Sequence, residues 1–204
     1  MMDLIGARDY ILEMLRNELD TKLTYHNLLH TLDVHQAVVR LLNLEQLPHH
    51  EALLLETAAF YHDSGMLVKY ADHEQFSVRI ANEALPRFGY NEEEIQEIGN
   101  LIQVTTLPQK AITHAEKIIC DADLDSLGRD DFFVQSFNLR LEWENFSIRH
   151  TSLLDWLLFE LQFMEGHQYY TASAMALRNE QKMLNLKEIK DLLHKTKTDN
   201  HQIP

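Results

Sequence analysis

Four places in the chain combine imidazole or carboxylate side chains at spacings that can bring them to one point. The first is Tyr25-His26-Asn27-Leu28-Leu29-His30-Thr31. His26 and His30 are four residues apart, so on a helix they project from one face and two imidazoles can reach one site. Read alone, the pair is equally two surface histidines. The second is His62-Asp63, which ends the apolar run Ala58-Ala59-Phe60-Tyr61. Adjacent helical residues point about 100° apart, so both can bind one ion only near the end of the helix. The third is Asp121-Ala122-Asp123, after Lys117-Ile118-Ile119-Cys120. A helix C-terminus favours cations, so acids there call for a partner, either an ion or the backbone of the next turn. The fourth is His73-Glu74, ten residues past the His-Asp pair. Imidazole nitrogen with carboxylate oxygen suits Fe, Mn, Ni, Zn or Mg better than a soft ion such as Cu(I). An ion so held lowers the pKa of bound water toward neutrality, which is hydrolytic chemistry.

The elements that must position these residues read as helices. Leu4, Ile5, Leu12, Leu15 and Leu19 mark an amphipathic first helix. A second begins near His26 and carries Leu29, Val34, Val38, Leu41 and Leu42. Pro48 separates it from a third, Glu51 to about His62, with Gly65 just beyond its end. Asp72-x-x-Gln75 predicts a capping box opening a helix to about Phe88, and Asn91-x-x-Glu94 another opening a helix to about Thr106. Thr113-x-x-Glu116 opens a short helix that leads to Asp121 and Asp123. Phe132 to Trp143 and Ser152 to Met164 give two more, and Thr171 caps a last long helix through Ile189 and Leu193. No segment alternates as a strand does. Six glycines and four prolines leave few tight turns for an all-β fold. The expected architecture is an all-α bundle, one domain over residues 1–195 with a polar tail over 196–204.

The order of the motifs, H…HD…D with an apolar run before the HD and Ala-Asp late, resembles the HD-domain superfamily of metal-dependent phosphohydrolases. The first motif is also similar to that of class I cyclic-nucleotide phosphodiesterases. The resemblance covers about residues 20–130 and implies an HD-type helical core with extra C-terminal helices. It makes His30, His62, Asp63 and Asp123 metal ligands, with Asp63 able to bridge two ions. Asp123 matches the last ligand because the family places it directly after a small residue, here Ala122; Asp121 is the competing assignment. His26 matches the phosphodiesterase residue that protonates the leaving oxygen, so His26 and Asp63 are the expected catalytic residues. His73 and Glu74 match a polar segment that holds a second ion or orients water. The implied cofactor is one or two divalent ions among Mn, Fe, Ni, Co, Mg and Zn. The implied substrate is a small phosphorylated metabolite or a nucleotide. An HD-fold di-iron oxygenase and a non-catalytic metal- or nucleotide-binding module are the alternatives. No Gly-Tyr-Pro signature follows, so cyclic di-GMP hydrolysis is not implied.

The remaining residues bound these readings. A net charge of −14 argues against an extended nucleic-acid interface but not against a small phosphate substrate at a cation site. Lys69 and Arg178 are candidate phosphate-binding cations, with Arg79 and Lys117 behind them. The single Cys120 fits a reducing compartment and reads as a small core residue. Met1-Met2-Asp3 lacks the basic and apolar regions of a signal peptide, and Leu153 to Met164 contains Asp155 and Glu160, so a cytoplasmic protein without a membrane span is expected. Phosphate-loop, dinucleotide-binding and serine-elbow signatures are missing.

Overall fold

A computed structural model describes residues 2–199, with side chains described through residue 195. Nine α-helices and no strand occur among the described residues, the all-α architecture expected from the sequence. The chain groups into two compact units, Met1–Leu124 and Asp125–Pro204. No helix among the described residues is long and apolar enough to cross a membrane.

The first unit contains α1 (Leu4–Glu18), α2 (Leu28–Glu45), α3 (His49–Tyr61), α4 (His73–Ala84), α5 (Glu92–Gln103) and α6 (His114–Asp123). Helix α3 is its axis and packs against α1, α2 and α5. Its last turns are buried on every side, through Leu54, Leu55, Thr57, Ala58, Ala59, Phe60 and Tyr61. Burying one Leu or Phe side chain contributes about 1.5–3 kcal/mol, so this run anchors the helix firmly. Tyr61 Oη donates to the Ala7 carbonyl of α1 at 2.9 Å, which satisfies its buried hydroxyl. His62 follows directly and is carried into the interior with it.

Helix starts obey local capping chemistry. Asn91 with Glu94, and Thr113 with Glu116, form the two reciprocal capping boxes that open α5 and α6. Asp72 departs from its expected box. Its backbone is left-handed at φ 58°, and its side chain caps nothing. A capping side chain folds back from an extended backbone, which that φ does not provide. The helix it precedes ends at Ala84, and a 3-10 turn, Leu85–Phe88, completes the segment. Helix α2 begins at Leu28 rather than near His26, because Asn27 is the cap: its Oδ1 accepts from the backbone N–H groups of Leu29 and His30 at 2.9 and 3.3 Å. His26 therefore stands in the bend before the helix and does not share a helical face with His30.

Gly65 sits in the 3-10 turn Ser64–Leu67, packed against α4. A Cβ there would lie 1.9 Å from the His73 carbonyl oxygen and 2.7 Å from the Ser77 nitrogen. Only glycine permits this approach, and the Gly65 N–H donates to Ser77 Oγ at 2.7 Å across it. The turn after His62-Asp63 is thereby pressed onto the first turn of α4.

The second unit holds α7 (Phe132–Asn145), α8 (Leu153–Gly166) and α9 (Ala172–Asp199). Ser152 and Thr171 cap α8 and α9 through their hydroxyls, accepting from Asp155 and Ala174 N–H at 3.1 Å each. Arg178 on α9 forks onto the buried Asp125 at 2.6 and 2.9 Å. A Cβ on Gly128 would lie 2.5 Å from Arg178 Cβ, so this close approach also requires glycine. Trp156, fully buried, packs edge-on against the half-buried Trp143 at 5.3 Å. Of the tail expected over 196–204, residues 196–199 continue the backbone of α9, and residues 200–204, with His201, lie outside the described residues.

Candidate metal centre

His30, His62 and Asp123 meet in the first unit with one donor atom from each within 4.8 Å of the others. Each comes from a helix end. His30 lies in the first turn of α2, fixed by the Asn27 cap. His62 follows the last residue of α3, and Asp123 is the last residue of α6. Packing of α2 against both α3 and α6 brings the three ends together.

His62 is fully buried, and its Nδ1 lies 2.9 Å from the Ala59 carbonyl. A carbonyl only accepts, so Nδ1 carries a proton and Nε2 is the nitrogen left to face the cluster. It lies 3.4 Å from His30 Nε2, 3.2 Å from Asp63 Oδ2 and 3.5 Å from Asp123 Oδ1. His30 Nε2 lies 3.3 Å from Asp63 Oδ2 and 3.5 Å from Asp123 Oδ1. Three donors thus converge, with buried Asp63 Oδ2 beside the two imidazoles, and that oxygen accepts no hydrogen bond although both rings are within reach. Such an orphaned buried oxygen is costly unless a cation sits before it. The donor set, two imidazole nitrogens and the Asp123 oxygen with Asp63 Oδ2 beside the rings, fits a borderline or hard divalent ion. Asp123 is the acid that joins the cluster, and Asp121, two positions earlier on the same helix, is not in it.

The electrostatics agree with a cation site. Burial works against charge on His30, yet the Asp123 and Asp63 carboxylates lift it above its ordinary 6.5. The same contest, dominated after burial by Asp63, lifts His62 well above 6.5. Burial opposes the Asp123 carboxylate too, but His30 and His62 bring it down to about 2. The site draws in positive charge, as protons or as an ion.

Each carboxylate is held from outside by a donor on its other oxygen. His73 Nε2 lies 3.1 Å from Asp63 Oδ1, while His73 Nδ1 lies 3.1 Å from the Tyr70 carbonyl. Both ring nitrogens face acceptors, and against burial Asp63 raises His73 to about 9, so the ring donates from both as an imidazolium. Gln109 Nε2 donates to Asp123 Oδ2 at 3.2 Å. Glu74 Oε1 stands 3.8 Å from His73 Nε2. The His26 ring lies 5.8 Å from His30, 5.6 Å from His73 and 5.8 Å from Tyr70, centre to centre, and Tyr25 packs against both His26 and His30 at 4.8 and 4.7 Å.

The structure thus gathers His26, His30, His62, Asp63, His73, Glu74 and Asp123. Lys69 is exposed in the loop after Gly65, its N–H bonded to the Gly65 carbonyl at 3.0 Å. Arg178 belongs to the second unit and is engaged by Asp125. Gln109, Tyr25 and Tyr70 were not singled out by sequence. A glutamine or tyrosine in a polar stretch carries no spacing signal; only the fold gives its neighbours. Cys120 is buried, its thiol pushed up by burial and by the Asp123, Asp121 and Glu116 charges, so it is no nucleophile.

Comparison with known proteins extends this picture. No family model matches the chain. An uncharacterized protein of Clostridium beijerinckii is 37% identical over 99 residues, which is 46% of this chain and 62% of that protein's length. Two solved structures match nearly throughout. A predicted HD superfamily hydrolase from an uncultured Thermotogales bacterium gives a TM-score of 0.63 at 16% identity, covering 92% of this chain and 91% of the other. Bacillus subtilis YpgQ, solved in complex with ADP, gives 0.64 at 22% identity, covering 93% and 94%. Helix order, the convergence of His30, His62 and Asp123, and these two likenesses agree: the chain has the HD-domain fold.

Proposed function

We propose that the chain is a metal-dependent phosphohydrolase that cleaves a phosphoester of a small phosphorylated metabolite or nucleotide. The observation that carries this reading is the convergence of His30, His62 and Asp123 on one point with the unsatisfied Oδ2 of Asp63 beside them. A divalent ion bound there supplies Lewis acidity toward phosphoryl oxygens and makes water acidic near neutral pH. His30, His62 and Asp123, with Asp63 beside them, would hold it. The Nδ1–H bond of His62 to Ala59 keeps that ring in the ligating tautomer. Asp63, through Oδ1, is also the acceptor that orients His73.

In the reaction, a water oxygen bonds to phosphorus as the ester P–O bond breaks. His26, in the bend before α2, gives its proton to the departing oxygen. Glu74, whose Oε1 stands 3.8 Å from His73 Nε2, orients the attacking water. Tyr25, His26 and Tyr70 cluster ring against ring next to His30, and aromatic rings there suit a nucleoside better than a bare sugar phosphate. The ADP bound to YpgQ supports a nucleotide as the substrate class. Cytoplasmic residence is part of this proposal, because nucleotides are abundant there.

The test is a panel of phosphorylated metabolites and nucleotides assayed with Mn, Co, Ni, Mg and Fe. Hydrolysis of at least one, lost in Asp63→Ala together with metal retention, is the expected result. Full activity of Asp63→Ala sinks the assignment. Tight metal and ADP binding without turnover of any substrate would point instead to a binding module.

A further inference from the structure

We propose that Gln109 is a positioning residue that keeps Asp123 a one-oxygen donor to the metal centre. The inference rests on the metal reading above but concerns a residue outside the ligand set. Asp123 shows its two oxygens to different surroundings. Oδ1 stands 3.5 Å from both His30 and His62 Nε2, and Oδ2 accepts from Gln109 Nε2 at 3.2 Å. Gln109 comes from the loop between α5 and α6, fourteen residues before Asp123, so the contact is made by the fold and not by the local helix.

The consequence is geometric. A carboxylate at the end of a helix can turn about its last torsion and offer either one oxygen or both. A donor fixed on Oδ2 commits that oxygen elsewhere, and the carboxylate plane with it. One oxygen from Asp123 then joins the two imidazoles and Asp63, and further coordination positions stay available to water and to a phosphoryl group. An amide is the suitable chemical type. It donates a hydrogen bond, adds no charge to a site that already holds two carboxylates, and does not titrate. Outer partners of this kind are worth about 10–100-fold in metal affinity.

The experiment uses the full chain and Mn²⁺ alone. Free Mn²⁺ is followed by electron paramagnetic resonance, and the waters on bound Mn²⁺ are counted by water-proton relaxation. Gln109→Leu keeps the side chain's size and removes the donor. The expected result is a Kd raised by about tenfold and a fall in the count of bound waters, with the metal-free melting temperature within about 2 °C of the unsubstituted chain. A purely structural role for Gln109 would move the melting temperature and leave the hydration of the ion alone. Gln109→Met, close in size and without a donor, serves if the leucine variant folds poorly, and it too should lose affinity and bound water. Unchanged affinity and hydration in either folded variant overturns the role of Gln109 while the metal centre stands. Failure of the unsubstituted chain to bind Mn²⁺ overturns the metal centre and this inference with it.

Discussion

His73 holds Asp63 by the oxygen that His30 and His62 do not approach most closely: Nε2 to Oδ1 is 3.1 Å, whereas Oδ2 lies 3.3 and 3.2 Å from the two imidazoles. The Asp63 carboxylate is therefore shared between His73 behind it and the cluster of His30 and His62 in front. If His73 acts only as this support, His73→Ala should weaken Mn²⁺ binding by about 10-fold without abolishing it. Asp63→Ala should abolish it. Isothermal titration of both variants distinguishes a support from a ligand, because loss of a true ligand at His73 would match the Asp63 result.

His26 is the expected proton donor. His26→Gln should lower kcat by about 10²–10³-fold with a natural ester and leave Mn²⁺ affinity intact. A substrate with a good leaving group, such as a nitrophenyl phosphate, needs little protonation and should lose far less. An equal loss on both substrates would remove the acid role.

Gly65→Ala tests the approach that sets this geometry. The added methyl meets two backbone atoms, the His73 carbonyl and the Ser77 nitrogen, at 1.9 and 2.7 Å, and neither can swing aside. Stability should fall by more than about 2 kcal/mol in urea unfolding, as overpacking against rigid groups costs 1–3 kcal/mol or more. Metal affinity should fall too, because His73 and Asp63 are separated. A fully stable variant would show that the turn yields.

The second unit carries its own pH sensitivity. Glu160 is buried and unpaired by any cation in its own network, where Ser136 Oγ donates to it at 2.7 Å and Trp156 Nε1 donates to Ser136 at 2.8 Å. Burial, opposed only by that hydroxyl, raises its pKa from 4.5 to about 7. A carboxyl raised in the folded state favours folding below its unfolded value and loses that contribution as pH rises from 4.5 through 7. The chain should accordingly lose about 3 kcal/mol across that window on account of this group. Glu160→Gln should flatten the profile and be the more stable protein above pH 7. His167, lowered to about 4 by burial and Lys182, slopes the other way between pH 6.5 and 4, so the comparison must be made between variants at equal pH. A wild-type slope in the glutamine variant would locate the effect elsewhere.

How much of this was legible in the sequence depended on whether the signal was local. The capping boxes at Asn91 and Thr113, the helix ends at His62 and Asp123, and the helical class are written in short windows, and the structure repeats them. Asp72 misled because a box motif specifies residue types and not the φ of its first member. His26 misled because the i, i+4 spacing assumed a helix over both histidines, and the helix begins at Leu28. Gln109 and Tyr70 were invisible, since nothing near them in sequence tells that the fold turns them toward Asp123 and His26. Glu160 looked like a lone acid that merely spoiled a membrane span; its burial beside Ser136 and Trp156 gives it another meaning.

Asn27 does two things at once. Its Oδ1 starts the helix that presents His30, and its Nδ2 donates to the Leu23 and Thr24 carbonyls of the segment that presents His26. One side chain therefore acts as the calliper between His30 and His26. Changes of substrate that need a new spacing between the two histidines cannot be reached by adjusting either alone.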